Sequence, residues 1–274
     1  MRALISADME GATGVTCPED CAPGSARWER LRHLFTGDVN AVAVGLLEAG
    51  VQDVLVNEAH ASMRNLLLEQ LDPRVRMLTG RHKPLGMMQG VQGSDLVAFV
   101  GYHSAPSTPG VLSHTFLGCE ITEVTLGGRA MSEGYLNAMV AAELGVKVAL
   151  VSGDDLTCQD ARDYAPGARC VEVKEAVDRY SAICRTPADT ADELRRAAAE
   201  CLSSATVPTL PDPPYACRVE FLGTSSAAAA AQVPTVALTS PRVVEFEAAT
   251  MHDLYQCFNV VATMGSVAAE SVYG

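Results

Sequence analysis

The sequence has no excess of positive charge, no long hydrophobic run and no repeated cysteine pair, and each gap removes a class of function. Twenty basic residues stand against 33 acidic ones, a formal charge of −13. A field of that sign repels phosphate backbones and anionic membrane surfaces, so neither nucleic acid nor a membrane is an expected partner. No apolar stretch reaches the ~20 residues that cross a bilayer. The opening MRALISADMEG lacks the basic region, long apolar core and small-residue cleavage site of a signal peptide, and the expectation is a cytoplasmic protein. Nine cysteines, an odd number, are scattered without a repeated C-x-x-C, which argues against a structural zinc site and against a disulfide framework. Cys17 and Cys21 share a Pro/Gly loop with no partner pair and are read as structural. Neither G-x-G-x-x-G nor G-x-x-x-x-G-K-[ST] follows an apolar run, so nucleotide binding is disfavoured.

What is there is a chain of 274 residues, 48% hydrophobic and 19% charged, long enough for one large domain or a domain with an appendage. The runs RALISA, DVLVNE, LVAFVGY and KVALVSG are nearly continuous in apolar residues, as strands buried on both faces of a parallel sheet must be. Between the first two, Trp28, Leu31, Phe35, Val39, Val42, Leu46 and Leu47 recur at helical spacing up to Gly50. Leu136, Met139, Val140 and Leu144 form a second such face, ending at Gly145. This alternation predicts an α/β fold with an open, mostly parallel sheet and helices on both faces. EITEVTLGGRAMS, residues 120–132, predicts a hairpin turning at Gly127-Gly128, and Thr186-Pro187 opens a further helix. VPTLPDPP, residues 207–214, can be neither helix nor central strand and is a candidate linker. The expected division is a main α/β domain over 1–207 and a smaller C-terminal α+β subdomain over 208–274 packed on it. In the latter, CRVEFL, PTVALT and RVVEFEA read as strands, and a last helix begins near Thr250.

Polar clusters sit where the four apolar runs stop: Asp8 and Glu10, then Asn57, Glu58 and His60, then His103, then Asp154 and Asp155. In an open parallel sheet these carboxyl ends are where ligands bind, so four sequence-distant clusters become neighbours. Asp8 and Glu10, two apart on extended chain, face one side. Burying both charges uncompensated costs several kcal/mol per ion, and a bound cation offsets that cost. Zinc takes imidazole nitrogen and carboxylate oxygen, and two zinc ions about 3.5–4 Å apart need about five or six protein ligands. Asp8, Glu10, His60, His103 and one more acid fit that count, and Glu133 is available just after the hairpin. Each residue alone has a plainer reading: a lone histidine after a strand is ordinarily a hydrogen-bonded loop residue, and Asp8 or Asp154 a helix cap. The coincidence of three of the six histidines, His60, His103 and His114, with an acidic pair on one rim favours the site. His33, His82 and His252 fall elsewhere and are read as structural or solvated.

SADMEGATG at 6–14, VNEAH at 56–60, GYHSAPSTPGVLSH at 101–114 and SEGYLNA at 132–138 together resemble the bacterial D-aminopeptidase family of dipeptide-transport operons, a dinuclear-zinc metallopeptidase family. The resemblance implies zinc ligands at Asp8, Glu10, His60, His103 and Glu133, with Asp8 as the bridge, and His114 as the catalytic residue. It also implies two zinc ions per subunit, with manganese or cobalt as substitutes, a short peptide substrate, and a ring-shaped homodecamer. The amine of such a peptide would dock near a metal or an acid, for which Glu58 is a candidate. Rival readings keep the metals and change the bond, to an amidase, a deacylase or an L- or β-aminopeptidase, or drop catalysis for metal binding on a flavodoxin-like frame.

Overall fold

The computed structural model describes residues 1–269. In chain order the strands and helices are β1 (Arg2–Ala7), α1 (Pro18–Cys21), α2 (Ala26–Glu48), β2 (Asp53–Glu58), β3 (Arg76–Leu78), β4 (Leu96–Val100), β5 (Ile121–Leu126), β6 (Arg129–Ala130), α3 (Glu133–Glu143) and β7 (Lys147–Asp154). They continue as α4 (Asp155–Tyr164), β8 (Arg169–Asp178), β9 (Ser181–Cys184), α5 (Pro187–Glu200), β10 (Tyr215–Phe221), α6 (Thr224–Ala230), β11 (Ala237–Ser240), β12 (Val243–Ala248) and α7 (Met251–Val267).

Seven strands form the main sheet in the order β3-β2-β1-β4-β7-β8-β9, parallel throughout except for the β8–β9 hairpin. The four apolar runs are four of its five inner strands, β2, β1, β4 and β7. Successive residues of β1 feed opposite cores, as a side-chain period of two requires. Ala3, Ile5 and Ala7 pack towards α2 and α5, with Trp28, Phe35, Val42 and Leu194. Leu4 joins Phe99, Val151 and Leu136 on the other face, where α3, α7 and the second sheet lie. The larger of these, Leu4 and Ile5, contribute about 1.5–3 kcal/mol each, one to each core, so β1 is fixed from both sides.

The second sheet is antiparallel, in the order β11-β12-β10-β5-β6, and so draws strands from both sides of residue 208. The β5–β6 turn falls at Gly127 and Gly128, whose φ values of 59° and 82° suit a two-residue hairpin.

Strand order decides where a ligand can sit. From β1 the chain steps outward to β2 and β3, then returns to place β4 on the opposite flank of β1. The connections leaving β1 and β4 therefore diverge, opening a crevice beyond their carboxyl ends. Ala7 is level with Glu58 and with Val100, so Asp8, His60 and His103 all emerge just past one line across the sheet.

Candidate metal centre

Asp8 and Glu10 lie on the loop after β1, His60 after β2 and His103 after β4, while Glu133 is in the first turn of α3. Ser132 caps that helix by accepting from Tyr135 N, and a carboxylate suits the positive end of the helix dipole. Gly11 lets the β1 loop touch the β4 loop: a Cβ there would sit 1.8 Å from Tyr102 O. Tyr102 is pinned below by its hydroxyl, which meets Ser6 Oγ at 2.7 Å and accepts from Asn137 Nδ2 at 2.9 Å.

All five side chains are buried: Asp8 is 2% exposed, Glu10 7%, His60 8%, His103 2% and Glu133 5%. Three carboxylates out of water demand positive charge. The hydrogen bonds then determine which imidazole nitrogen faces inward. His60 Nε2 lies 3.1 Å from Cys21 O, His103 Nδ1 3.1 Å from Ser104 O and His114 Nδ1 2.8 Å from Leu112 O. A carbonyl only accepts, so each of those nitrogens carries a proton, and in a neutral ring the other nitrogen presents a lone pair. Those lone pairs point at carboxylates. His60 Nδ1 lies 2.8 Å from Glu10 Oε2 and 3.6 Å from Asp8 Oδ1, and His103 Nε2 lies 3.4 Å from Asp8 Oδ2 and 3.5 Å from Glu133 Oε1. Asp8 thus turns one oxygen to each histidine.

Lone pair against lone pair is repulsive unless a cation or a proton lies between. Asp8 Oδ2, Glu10 Oε2 and His103 Nε2 are buried without a hydrogen-bond partner, which is what metal-ligand atoms look like when only protein is counted. A donor set of imidazole nitrogen and carboxylate oxygen fits zinc. Asp8, His103 and Glu133 could converge on one ion, as could Glu10 and His60, since each set brings its ligand atoms within 4.8 Å of one another.

The titration behaviour expresses the same demand. Burial, and then Glu10, pushes the Asp8 carboxyl up to about 7. Burial also opposes charge on Glu10, but the charge of His60 outweighs it and holds that carboxyl well below its usual range. His103 would fall on burial alone; Glu133 and Asp8 instead raise it to about 10. Protons thus take the place that a divalent cation would fill.

His114 stands differently. Its Nε2 is 3.7 Å from Glu10 Oε1 and 4.0 Å from Glu133 Oε1, and its side chain is 15% exposed, the most open of the group. Burial and the neighbouring His103 lower its pKa. Leu112 and Phe116, two residues either side, both have positive φ, 52° and 60°, a strained conformation that persists only where the surroundings impose it. Part of that imposition is visible: Phe116 N donates to Glu133 Oε1 at 2.7 Å, and Val111 N donates to Asp154 Oδ2 at 2.7 Å. Asp154 also caps α4, accepting from Thr157 N and Thr157 Oγ1, so it both caps a helix and supports the site.

Several contributors carry no sequence signal. Lys174, fully buried on β8, donates from Nζ to Glu10 O at 2.7 Å, Ala12 O at 3.0 Å and Val15 O at 2.7 Å, clamping the loop that bears the acidic pair. Cys21, read from sequence as structural, is buried with its sulfur within 4.8 Å of ligand atoms of Glu10 and His60, although burial and then Glu10 push its thiol pKa well up. Glu58, the candidate for docking an amine, instead accepts from Asn65 N and Leu66 N and does not line the crevice. His82 lines the cavity, whereas His33 on α2 pairs with Gln70 and His252 is exposed.

The cavity above these groups has a volume of about 540 Å³ and is walled by the candidate ligands, the 81–87 segment and α7. That volume suits a small organic ligand. Among the described residues no helix is long and apolar enough to cross a membrane.

A family model described as D-aminopeptidase matches residues 1–260. A curated D-aminopeptidase from Bacillus subtilis is 31% identical over 268 residues, 96% of this chain and 97% of that protein. A solved structure, the Zn-dependent D-aminopeptidase DppA from Bacillus subtilis, described as a self-compartmentalizing protease, superposes with a TM-score of 0.93 at 30% identity, covering 97% of this chain and 98% of that one.

Proposed function

The chain belongs to the D-aminopeptidase family, and on that premise we propose that it is a zinc-dependent aminopeptidase removing the N-terminal residue of short peptides. We assign Asp8, Glu10, His60, His103 and Glu133 as ligands of two zinc ions, with Asp8 shared between them, and His114 as the catalytic residue. The observation that carries this reading is the pairing of unprotonated imidazole nitrogens with partnerless carboxylate oxygens in a buried cluster. Asp8 supports two ions rather than one because its two oxygens serve opposite histidines. The relative described as self-compartmentalizing supports a closed oligomer, proposed here as a ring of ten subunits.

When bound, zinc supplies Lewis acidity and brings the pKa of a water near to neutrality. The remaining work falls to the chain. His114 Nε2, beyond hydrogen-bonding distance of Glu10 and Glu133, accepts a proton as the amide is attacked and then, as the protonated ring, returns it to the leaving nitrogen. Its Nδ1 proton, held by Leu112 O, fixes the tautomer in which Nε2 is free for that task. The lowered pKa keeps the ring neutral near pH 7. Burial of the ligands excludes bulk water from around the reacting bond.

The deciding experiment measures zinc per subunit together with hydrolysis of D-Ala, L-amino acid and β-amino acid p-nitroanilides before and after chelation. Activity on the D-substrate that disappears with chelation and returns with zinc is expected. Hydrolysis confined to L- or β-substrates would reassign the specificity, and activity indifferent to chelation would remove the metal from the reaction.

A further inference from the structure

Among the described residues that line the crevice, one lysine and one arginine occur, Lys83 and Arg81. In a chain of charge −13 such a pair is a local exception. Lys83 is held in a built cradle. Its Nζ donates to Asn57 Oδ1 at 2.6 Å and to Glu58 O. Asn57 is itself fully buried, its Nδ2 donating to Gly86 O at 3.1 Å and Met87 O at 2.7 Å, which turns its oxygen to the lysine. Both direct acceptors of the ammonium are neutral oxygens, with the Glu58 carboxylate acting on it only through space, and one of three N–H donors remains unassigned. Burial lowers the Lys83 pKa to about 8, which leaves the group a cation at neutral pH.

The cradle also fixes where that charge lies. Glu58 ends β2 and His60 follows two residues later, so the ammonium and the ligand cluster share one wall of the cavity. Consecutive residues of a peptide are spaced ~3.8 Å apart, so a dipeptide whose scissile carbonyl sits at the cluster ends one residue further on.

We propose that Lys83, assisted by the exposed Arg81, binds the C-terminal carboxylate of the substrate and thereby makes the site favour very short peptides with a free carboxyl end. The inference rests on the aminopeptidase reading and adds a specificity determinant to it. A zwitterionic dipeptide matches the cavity's polarity, with its amine towards the carboxylates and its carboxylate towards the cations.

The test compares kcat/KM of the zinc-loaded protein for D-alanyl-D-alanine and for its C-terminal amide. The wild type should favour the free acid by about ten-fold or more, the scale of one charge-assisted hydrogen bond. Lys83→Met should bring the ratio close to one, mainly through KM on the acid, with zinc content retained. Arg81→Gln, an exposed change that spares the fold, should narrow the ratio by a smaller factor and carries the test if Lys83→Met does not fold. A wild type that cleaves acid and amide equally, or variants that keep the full preference, would overturn the inference while leaving the aminopeptidase reading intact. Failure to cleave either substrate would overturn both.

Discussion

The rings of His103 and His114 lie parallel, 6° apart in plane with centroids separated by 4.1 Å. One turns its free nitrogen into the carboxylate cluster; the other holds its own just above. Removing the upper ring should therefore separate chemistry from metal binding. His114→Ala is expected to retain the wild-type zinc content by mass spectrometry and to lose about 10²–10⁴-fold in turnover, the range for a general acid or base. A variant with full activity would end the assignment.

Variants at the proposed ligands should behave in the opposite way. His60→Ala and Glu133→Ala each withdraw one donor from one side of the cluster, whereas Asp8→Ala withdraws the carboxylate facing both histidines. Zinc stoichiometry should fall by about one ion in the first two and by more in the third. Equal stoichiometry in all three and the wild type would refute ligation by these residues.

Stability should depend on pH with a sign set by the histidines. The folded-state pKa of His103 is raised to about 10, and that of His60 is also raised, because nearby carboxylates outweigh the opposing effect of burial. A raised pKa contributes stability that is complete below the unfolded value near 6.5 and is lost as pH climbs towards the folded value. Chelated protein should accordingly lose Tm between pH 7 and 9. Zinc needs those rings deprotonated, so the rise in Tm on adding zinc should widen over the same interval. At a hundred-fold excess over Kd the gain is about 2.7 kcal/mol, or roughly 5–10 °C for a domain of this size. A zinc-induced shift that shrinks from pH 7 to 9 would contradict the linkage.

Lys174→Met leaves the carbonyls of Glu10, Ala12 and Val15 without their donor. Each stranded buried acceptor costs about 1–3 kcal/mol, so the melting temperature should drop by well over 5 °C, since each 1 kcal/mol moves Tm by roughly 2–4 °C. The zinc affinity measured by competition with a chelator should weaken too, since Glu10 rides on the released loop. Unchanged melting and affinity would show the clamp to be idle.

Much of this was legible in the sequence, for a physical reason. Strands buried on both faces must be apolar throughout, and RALISA, DVLVNE, LVAFV and KVALVSG are four of the five inner strands of the main sheet. A polar residue at the end of such a run stands out, which is how Asp8, His60 and His103 were visible. Strands at the sheet's margin gave no such contrast: Arg76–Leu78 and Ser181–Cys184 are short and largely exposed, and neither stands out from a loop. Lys174 escaped because a lysine in VEVKEAV reads as a solvated position, and only the β1 loop lying across it removes it from water. Lys83 escaped for a similar reason. Its flanking Arg81, His82 and Pro84 spell a surface loop, while the partner that draws its ammonium inward, Asn57, lies on β2, far back in the sequence.

The inward-facing groups come from as early as residue 8 and as late as residue 133, from the ends of three strands and the start of a helix. No fragment emerging during synthesis holds them together until β4 has inserted beside β1 and α3 has docked. A hydrolase made this way is harmless while its own chain is still unfolded and vulnerable, because completing the fold is also the act that arms it.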